Sequence, residues 1–165
     1  MLETVLLKNY QSEYAAGAVE LWNTIVRAGR AFPQDEELSV ESGNCFFQSQ
    51  TYTGLALEKA SGKVVGLYIL HPNNVGRCGH ICNASYAVLP ECRGQHIGEM
   101  LVKDCMQQAR NAGYKILQFN AVVASNQTAL NLYKKLGFTQ LGVIPQGFRN
   151  IDNVYEDIIP HYITL

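Results

Sequence analysis

The chain has 165 residues, of which 47% are apolar and 16% charged, and its net charge is -1. These values fit a single folded domain over residues 1–165 with a sizeable core, and they exclude a disordered chain. Near-neutral charge gives no basis for a nucleic-acid or membrane-surface partner, and no apolar run reaches the ~20 residues that cross a bilayer.

The N-terminus, Met1-Leu2-Glu3-Thr4-Val5, lacks the basic region and apolar core of an export signal. Five cysteines, an odd number, then read as reduced thiols, and the expected location is cytoplasmic. Residues 3–8, with Thr4, Val5, Leu6 and Leu7, form the first predicted strand. Ser12 is the expected N-cap of a helix to Arg27, with Ala15, Val19, Trp22 and Val26 on its core face. Gly29 ends it, and a loop from Ala31 through Asp35, Glu36 and Glu37 follows. A weaker helix spans residues 39–48. Residues 51–58 and 63–71 are strands joined by a hairpin turn, Lys59-Ala60-Ser61-Gly62.

A strand over residues 79–89 comes next, then the clearest helix, 97–112, with Ile97, Leu101, Cys105 and Ala109 on one face. Glu99 and Lys103 form an i,i+4 pair on its solvent side, and Gly113 is its stop. Residues 115–123 read as a dense apolar strand from the middle of a sheet. Ser125 or Asn126 caps a last helix to Leu136. Strands at 138–144 and 153–159 complete the chain, with a loop at 145–150 between them. The order of elements is that of an α/β domain built on a mixed sheet.

One junction carries chemistry. The strand ending Ala87-Val88-Leu89 runs through Pro90-Glu91-Cys92 into Arg93-Gly94-Gln95-His96-Ile97-Gly98, where a helix starts at once. At such a junction backbone N–H groups point outward and the helix dipole favours negative charge. The turn is therefore expected to hold the pyrophosphate of a cofactor.

Three pieces in this order resemble the GNAT N-acetyltransferase superfamily. Arg93 to Gly98 is similar to its Arg/Gln-x-x-Gly-x-Gly/Ala signature. Asn126-Gln127-Thr128-Ala129-Leu130-Asn131-Leu132-Tyr133-Lys134-Lys135-Leu136-Gly137-Phe138 is similar to its Asn-x-x-Ala-x-x-Leu-Tyr-x-Lys-x-Gly-Phe. The third piece is the strand ending Tyr86-Ala87-Val88. The resemblance is strong over residues 80–140 and fits in element order over nearly all the chain. It implies a GNAT-like fold: one twisted mixed sheet with helices on both faces, splayed after the strand ending at Val88. It also implies acetyl-CoA as co-substrate and transfer of its acetyl group to the primary amine of a small molecule, in a ternary complex and without metal.

In residue terms, the resemblance gives the diphosphate to the turn formed by Arg93, Gly94, Gln95, His96, Ile97 and Gly98. It gives the pantetheine arm to the backbones of Tyr86 and Val88, and a further hydrogen bond to Asn126, which can also be the helix N-cap. Tyr133 is the group expected to protonate the leaving thiolate. His96 stands where the family usually has glycine. The general base stays open among His80, the acidic run Asp35 to Glu37, and a water chain through Asn120 or Ser85. The acceptor is expected between residues 32–38 and 146–155, with Phe32, Phe148 and Tyr155 as walls and Asp35, Glu36, Glu37, Asp152 and Glu156 adding negative charge. Trp22 reads as core. Cys78, His80 and Cys82 share a strand face, with His71 upstream, but their spacing matches no standard zinc knuckle. Residues 155–159 can pair across a two-fold axis into a homodimer. The rival readings are a CoA-binding regulatory module without catalysis and an acetyltransferase acting on protein N-termini or lysines.

Overall fold

The computed structural model describes residues 4–165, so Glu3 of the first predicted strand lies outside the described residues. Its elements are β1 (Val5–Asn9), α1 (Ala15–Ala28), α2 (Val40–Gln48), β2 (Tyr52–Glu58), β3 (Val64–Pro72), β4 (Ile81–Val88), α3 (Ile97–Asn111), β5 (Ile116–Phe119), α4 (Gln127–Lys135), β6 (Thr139–Gln140), β7 (Ile144–Arg149), β8 (Tyr155–Ile158) and β9 (His161–Thr164). Seven strands form one sheet in the order β1-β2-β3-β4-β5-β9-β6, and β7 and β8 form a separate pair. The sheet is antiparallel except for β4 with β5. No helix among the described residues is long and apolar enough to cross a membrane.

Helices cover both faces, as expected. The Thr53 hydroxyl donates to the Phe47 carbonyl of α2, so Thr53 and its cross-strand partner Ile69 face that side. The Tyr68 hydroxyl donates to Asp104 of α3 at 2.6 Å, so Tyr68 faces the other side. A Cβ on Gly66 would come within 3.0 Å of Ile97 and Leu101, so bare backbone there lets α3 lie close on the sheet. Trp22 is 1% exposed against Phe32, Phe46 and Phe47, in the core as read from its spacing.

Several boundaries differ from expectation. Ser12 opens a short 3-10 turn, Ser12–Tyr14, and α1 begins at Ala15 without a side-chain cap. Residues 115–123 form a strand only over Ile116–Phe119. The loop expected at 145–150 is mostly strand β7, and the turn falls instead at 150–154, where the Asn150 N–H donates to the Val154 carbonyl. The short β9 lies beyond the last strand predicted from the sequence. Its His161 and Tyr162 pair with both β5 and β6. β8 pairs with β7 on one edge, and around Asp157 to Ile159 its other edge meets residues 122–124.

Candidate functional site

The sheet opens between β4 and β5. These parallel strands pair only at Ile81 with Ile116 and at Cys82 with Leu117, and then part. The Leu89 N–H donates to the Val65 carbonyl at 3.0 Å, and the Ile81 carbonyl accepts from Asn73 at 2.9 Å. Odd-numbered residues of β4 therefore turn their peptide groups toward β3, and even-numbered residues turn theirs into the gap. Ala84 is first along the gap, and its N–H donates to the Asn83 side chain at 2.8 Å. Tyr86 and Val88 present their N–H and C=O groups to the gap with no strand beside them.

The gap leads into the turn. Pro90 starts a 3-10 turn over Pro90–Cys92, and Arg93 is extended. Gly94 and His96 are left-handed, at φ 77° and 63°. The first helical bond of α3 is Met100 N–H to the His96 carbonyl at 3.1 Å. The amides of Gly94, Gln95, His96, Ile97 and Gly98 find no acceptor among the described residues. His96 occupies a backbone region that costs a non-glycine residue roughly 1–2 kcal/mol, which is a physical reason for glycine at this position. Its side chain is 67% exposed, 3.8 Å from Glu99. At Gly98 a Cβ would meet only Leu132, at an ordinary 3.8 Å. Packing within the chain does not demand glycine there, and its absence of side chain leaves the helix mouth bare. Arg93 is exposed beside it.

α4 closes the other side of the gap. The Asn126 side-chain oxygen accepts from the Ala129 N–H at 3.2 Å as an N-cap, which leaves its amide nitrogen free to donate. Tyr133 is the buried residue of this helix. Its ring lies 4.5 Å from Phe119, 5.4 Å from Phe138 and 5.7 Å from His161. Tyr86 meets Phe119 edge-on at 5.7 Å, so one aromatic row runs from β4 across β5 to α4. Burial pushes the Tyr133 and Tyr86 phenols well above the ordinary phenol range. His161, which sequence reasoning missed, is 1% exposed. Its Nδ1 lies 2.7 Å from the Ile159 carbonyl, which can only accept, so Nδ1 carries the proton. Burial lowers its pKa and favours the neutral ring.

The opposite face of the gap is built from amides. Asn83 and Ser85 lie on that face of β4, opposite His71 and Ile69 of β3. The Gln118 side chain donates to Asn120 at 3.0 Å, and Asn120 donates to Asn73 at 2.7 Å. Its rim joins α1 to the β7–β8 turn: Arg30 pairs with Asp152, and the Ile151 N–H donates to the Gly29 carbonyl at 3.0 Å. Asn150, 7% exposed, fixes that turn by accepting from the Asp152 and Val154 N–H groups. Its amide donates to Glu156 at 2.8 Å. Hydrogen bonds from Ser125 and Asn150 hold the Glu156 carboxyl below the usual range.

The Acetyltransferase (GNAT) family model matches residues 18–138. The chain belongs to the GNAT family. It is 30% identical over 142 residues to N-acetyltransferase aca1 of Schizosaccharomyces pombe, covering 77% of this chain and 68% of that protein. It is 24% identical over 134 residues to the L-amino acid N-acyltransferase MnaT of Escherichia coli, covering 79% and 77%. Its fold superposes on a GCN5-related N-acetyltransferase from Kribbella flavida with a TM-score of 0.90, 27% identity and full coverage of both chains. The protein yncA of Salmonella typhimurium, solved with its cofactor acetyl-CoA, gives a TM-score of 0.90 at 17% identity over 98% of this chain and 94% of that one.

Within this GNAT frame, the fold brings Tyr86, Val88, residues 93–98, Asn126 and Tyr133 around one gap. Other expectations need correcting. Phe32 is 7% exposed and packs on Trp22 at 4.5 Å, so it is core and not a wall of the acceptor site. Phe148, also 7% exposed, belongs to a small cluster with Val123 and Ile158. Of the three proposed walls only Tyr155 is exposed, at 60%. His80 sits at the closed end of the β4–β5 pair, where its carbonyl accepts from Lys115. Five residues, or six steps along the strand, separate it from Tyr86, roughly 20 Å at about 3.4 Å per step. Glu37 is tied to Arg27 at 2.8 Å, and Asp35 and Glu36 are exposed. Of the base candidates, only Asn120 and Ser85 lie on the amide-lined face. Cys78 and His80 are exposed while Cys82 is buried with its thiol on the Ile116 carbonyl. No group of three metal-ligating side chains forms among the described residues.

Proposed function

We propose that this GNAT protein transfers the acetyl group of acetyl-CoA to the primary amine of a small, amino-acid-like molecule, by direct attack within a ternary complex. The observation that carries the reading is the continuity of the gap with the turn. Unpaired strand backbone at Tyr86 and Val88 leads straight to five free amides at a helix mouth. An extended arm can add to β4 as a strand would, and its diphosphate then meets the amides of residues 94–98 with Arg93 beside it. The Val88 N–H, aimed into the gap, polarises the thioester carbonyl.

Tyr133 serves the departing sulfur. Burial keeps its phenol protonated, so the hydroxyl is available to hydrogen-bond to the departing thiolate. The acceptor enters from the Asn83, Ser85 and Asn120 face. No carboxylate lies on β4, so the ammonium proton leaves through water held by these amides and the serine hydroxyl. The similarity to an L-amino acid N-acyltransferase supports a small acceptor.

The test is thiol release from acetyl-CoA over a panel of amino acids, aliphatic amines and N-terminal peptides, with products identified by mass. Release that depends on a small amine supports the proposal. Release with peptides alone would move the acceptor to protein. Tight CoA binding with no turnover on any amine would make the protein a CoA-binding module.

A further inference from the structure

We infer that Glu99 is a positioning residue, which through Lys135 ties the helix carrying Tyr133 to the phosphate-binding turn. The inference rests on the reading of Tyr133 as the group serving the leaving sulfur. α4 is nine residues long, and Tyr133 is its buried residue. Ala129, Leu130 and Leu132 pack on the core only partly buried. Among the described residues, the one side-chain polar link from α4 to α3 is Lys135 Nζ to Glu99 Oε2 at 2.6 Å. The other carboxylate oxygen takes Lys103 Nζ at 2.8 Å, and His96 Nδ1 stands 3.8 Å away.

Exposed ion pairs contribute little, because solvent screens them and long side chains lose freedom. This one differs. The Glu99 side chain is only 15% exposed, and it gathers two lysines that are each 60% exposed. It lies one residue past Gly98, and Lys135 lies two residues past Tyr133. The contact thus joins the place for the cofactor's phosphates to the place for its sulfur.

A carboxylate beside an anion-binding turn is unfavourable for binding in itself, since it repels phosphate. Its value here is geometric, and this gives opposite signs for two measurable quantities. Removing the charge frees Lys103 and Lys135 to attract CoA. The same change loosens α4 and slows the chemistry.

The experiment compares Glu99→Gln, Lys135→Met and Lys135→Arg, each with and without Tyr133→Phe, in full-length protein. Glu99→Gln and Lys135→Met should each lower kcat about 5-fold or more, while Lys135→Arg keeps most of it. Glu99→Gln should leave acetyl-CoA affinity unchanged or tighter. In the Tyr133→Phe background neither should add more than about 2-fold, because coupled residues are non-additive. Unchanged kcat, equal losses in both backgrounds, or weaker CoA binding with intact kcat would overturn the inference.

A second readout does not depend on turnover. In protein labelled with 13C on tyrosine, the Tyr133 signal is identified by its absence in Tyr133→Phe. In the CoA complex that signal should move or broaden in Lys135→Met, and an unmoved signal would reject the tether. If Tyr133→Phe alone keeps wild-type kcat, the sulfur role fails, and this signal alone decides whether Glu99 holds the helix.

Discussion

The two sides of the gap are built by different means. The side proposed for the cofactor is built mainly from main chain: unpaired peptide groups on β4, left-handed Gly94 and His96, and bare amides leading into α3. The side proposed for the acceptor is built from side chains: the Gln118–Asn120–Asn73 chain, Asn83, Ser85, and a hairpin held by Asn150. Main-chain recognition suits a co-substrate that is common to a family. Side-chain recognition varies with single substitutions, and it is where one member's acceptor is set.

Breaking the cofactor side should have the larger effect. Gly98→Val places a branched side chain at the bare helix mouth, where Leu132 is the only neighbour within 4 Å. It should cut CoA affinity more than about 100-fold, since the amides lose close approach, while the melting temperature changes little. Calorimetric titration and thermal unfolding check both halves. Tyr133→Phe should lower kcat about 100-fold and leave CoA affinity within about 3-fold, read from steady-state rates beside direct binding.

On the acceptor side the expected changes are smaller and fall on a different constant. Asn120→Ala breaks the amide chain at its middle, where Asn120 both accepts and donates. It should raise the acceptor KM about 10-fold, equivalent to one lost polar contact, with the acetyl-CoA KM unchanged. An equal rise in both would mean that the two sides are not separate.

The pH profile sharpens the comparison further. In the role proposed for it Tyr133 must keep its proton, and burial raises its pKa above the ordinary 10.0. The protonated, active form therefore persists as pH rises through the usual phenol range. The kcat of the wild type should show no alkaline fall assignable to Tyr133 up to about pH 10, tested against the Tyr133→Phe profile. The smallest effect is expected from His96→Gly. It relieves a left-handed backbone, stabilising the fold by up to about 1 kcal/mol against the added chain entropy. CoA affinity should stay within about 3-fold if only the His96 amide is used, which denaturant titration and direct binding would show.

The contrast also explains what could be read from the sequence. The turn and α4 are contiguous stretches, so a resemblance carried by short local motifs could single out residues 93–98, Asn126 and Tyr133 as candidates. The acceptor side is assembled from Arg30, Asn73, Asn83, Asn120 and Asn150, and no local pattern links them. The Arg30–Asp152 contact spans 122 positions in the chain. Phe32 and Phe148 are buried where the sequence suggests site walls, because an aromatic in a loop carries no sign of whether it points inward. Strand ends failed for a related reason. Residues 120–123 are as apolar as a strand, but the chain leaves the sheet there toward α4, and β8 pairs with it instead. His161 sits in a four-residue strand too short for its alternation to be seen.

The central claim is that one continuous path, from the β4 backbone through residues 94–98, receives acetyl-CoA. Backbone amide exchange with and without CoA tests it residue by residue. The account predicts that CoA alone protects the amides of Tyr86, Val88 and Gly94, Gln95, His96, Ile97 and Gly98, and leaves the 150–154 turn unchanged. Protection centred on the β7–β8 hairpin, with the 94–98 amides still exchanging freely, would contradict it.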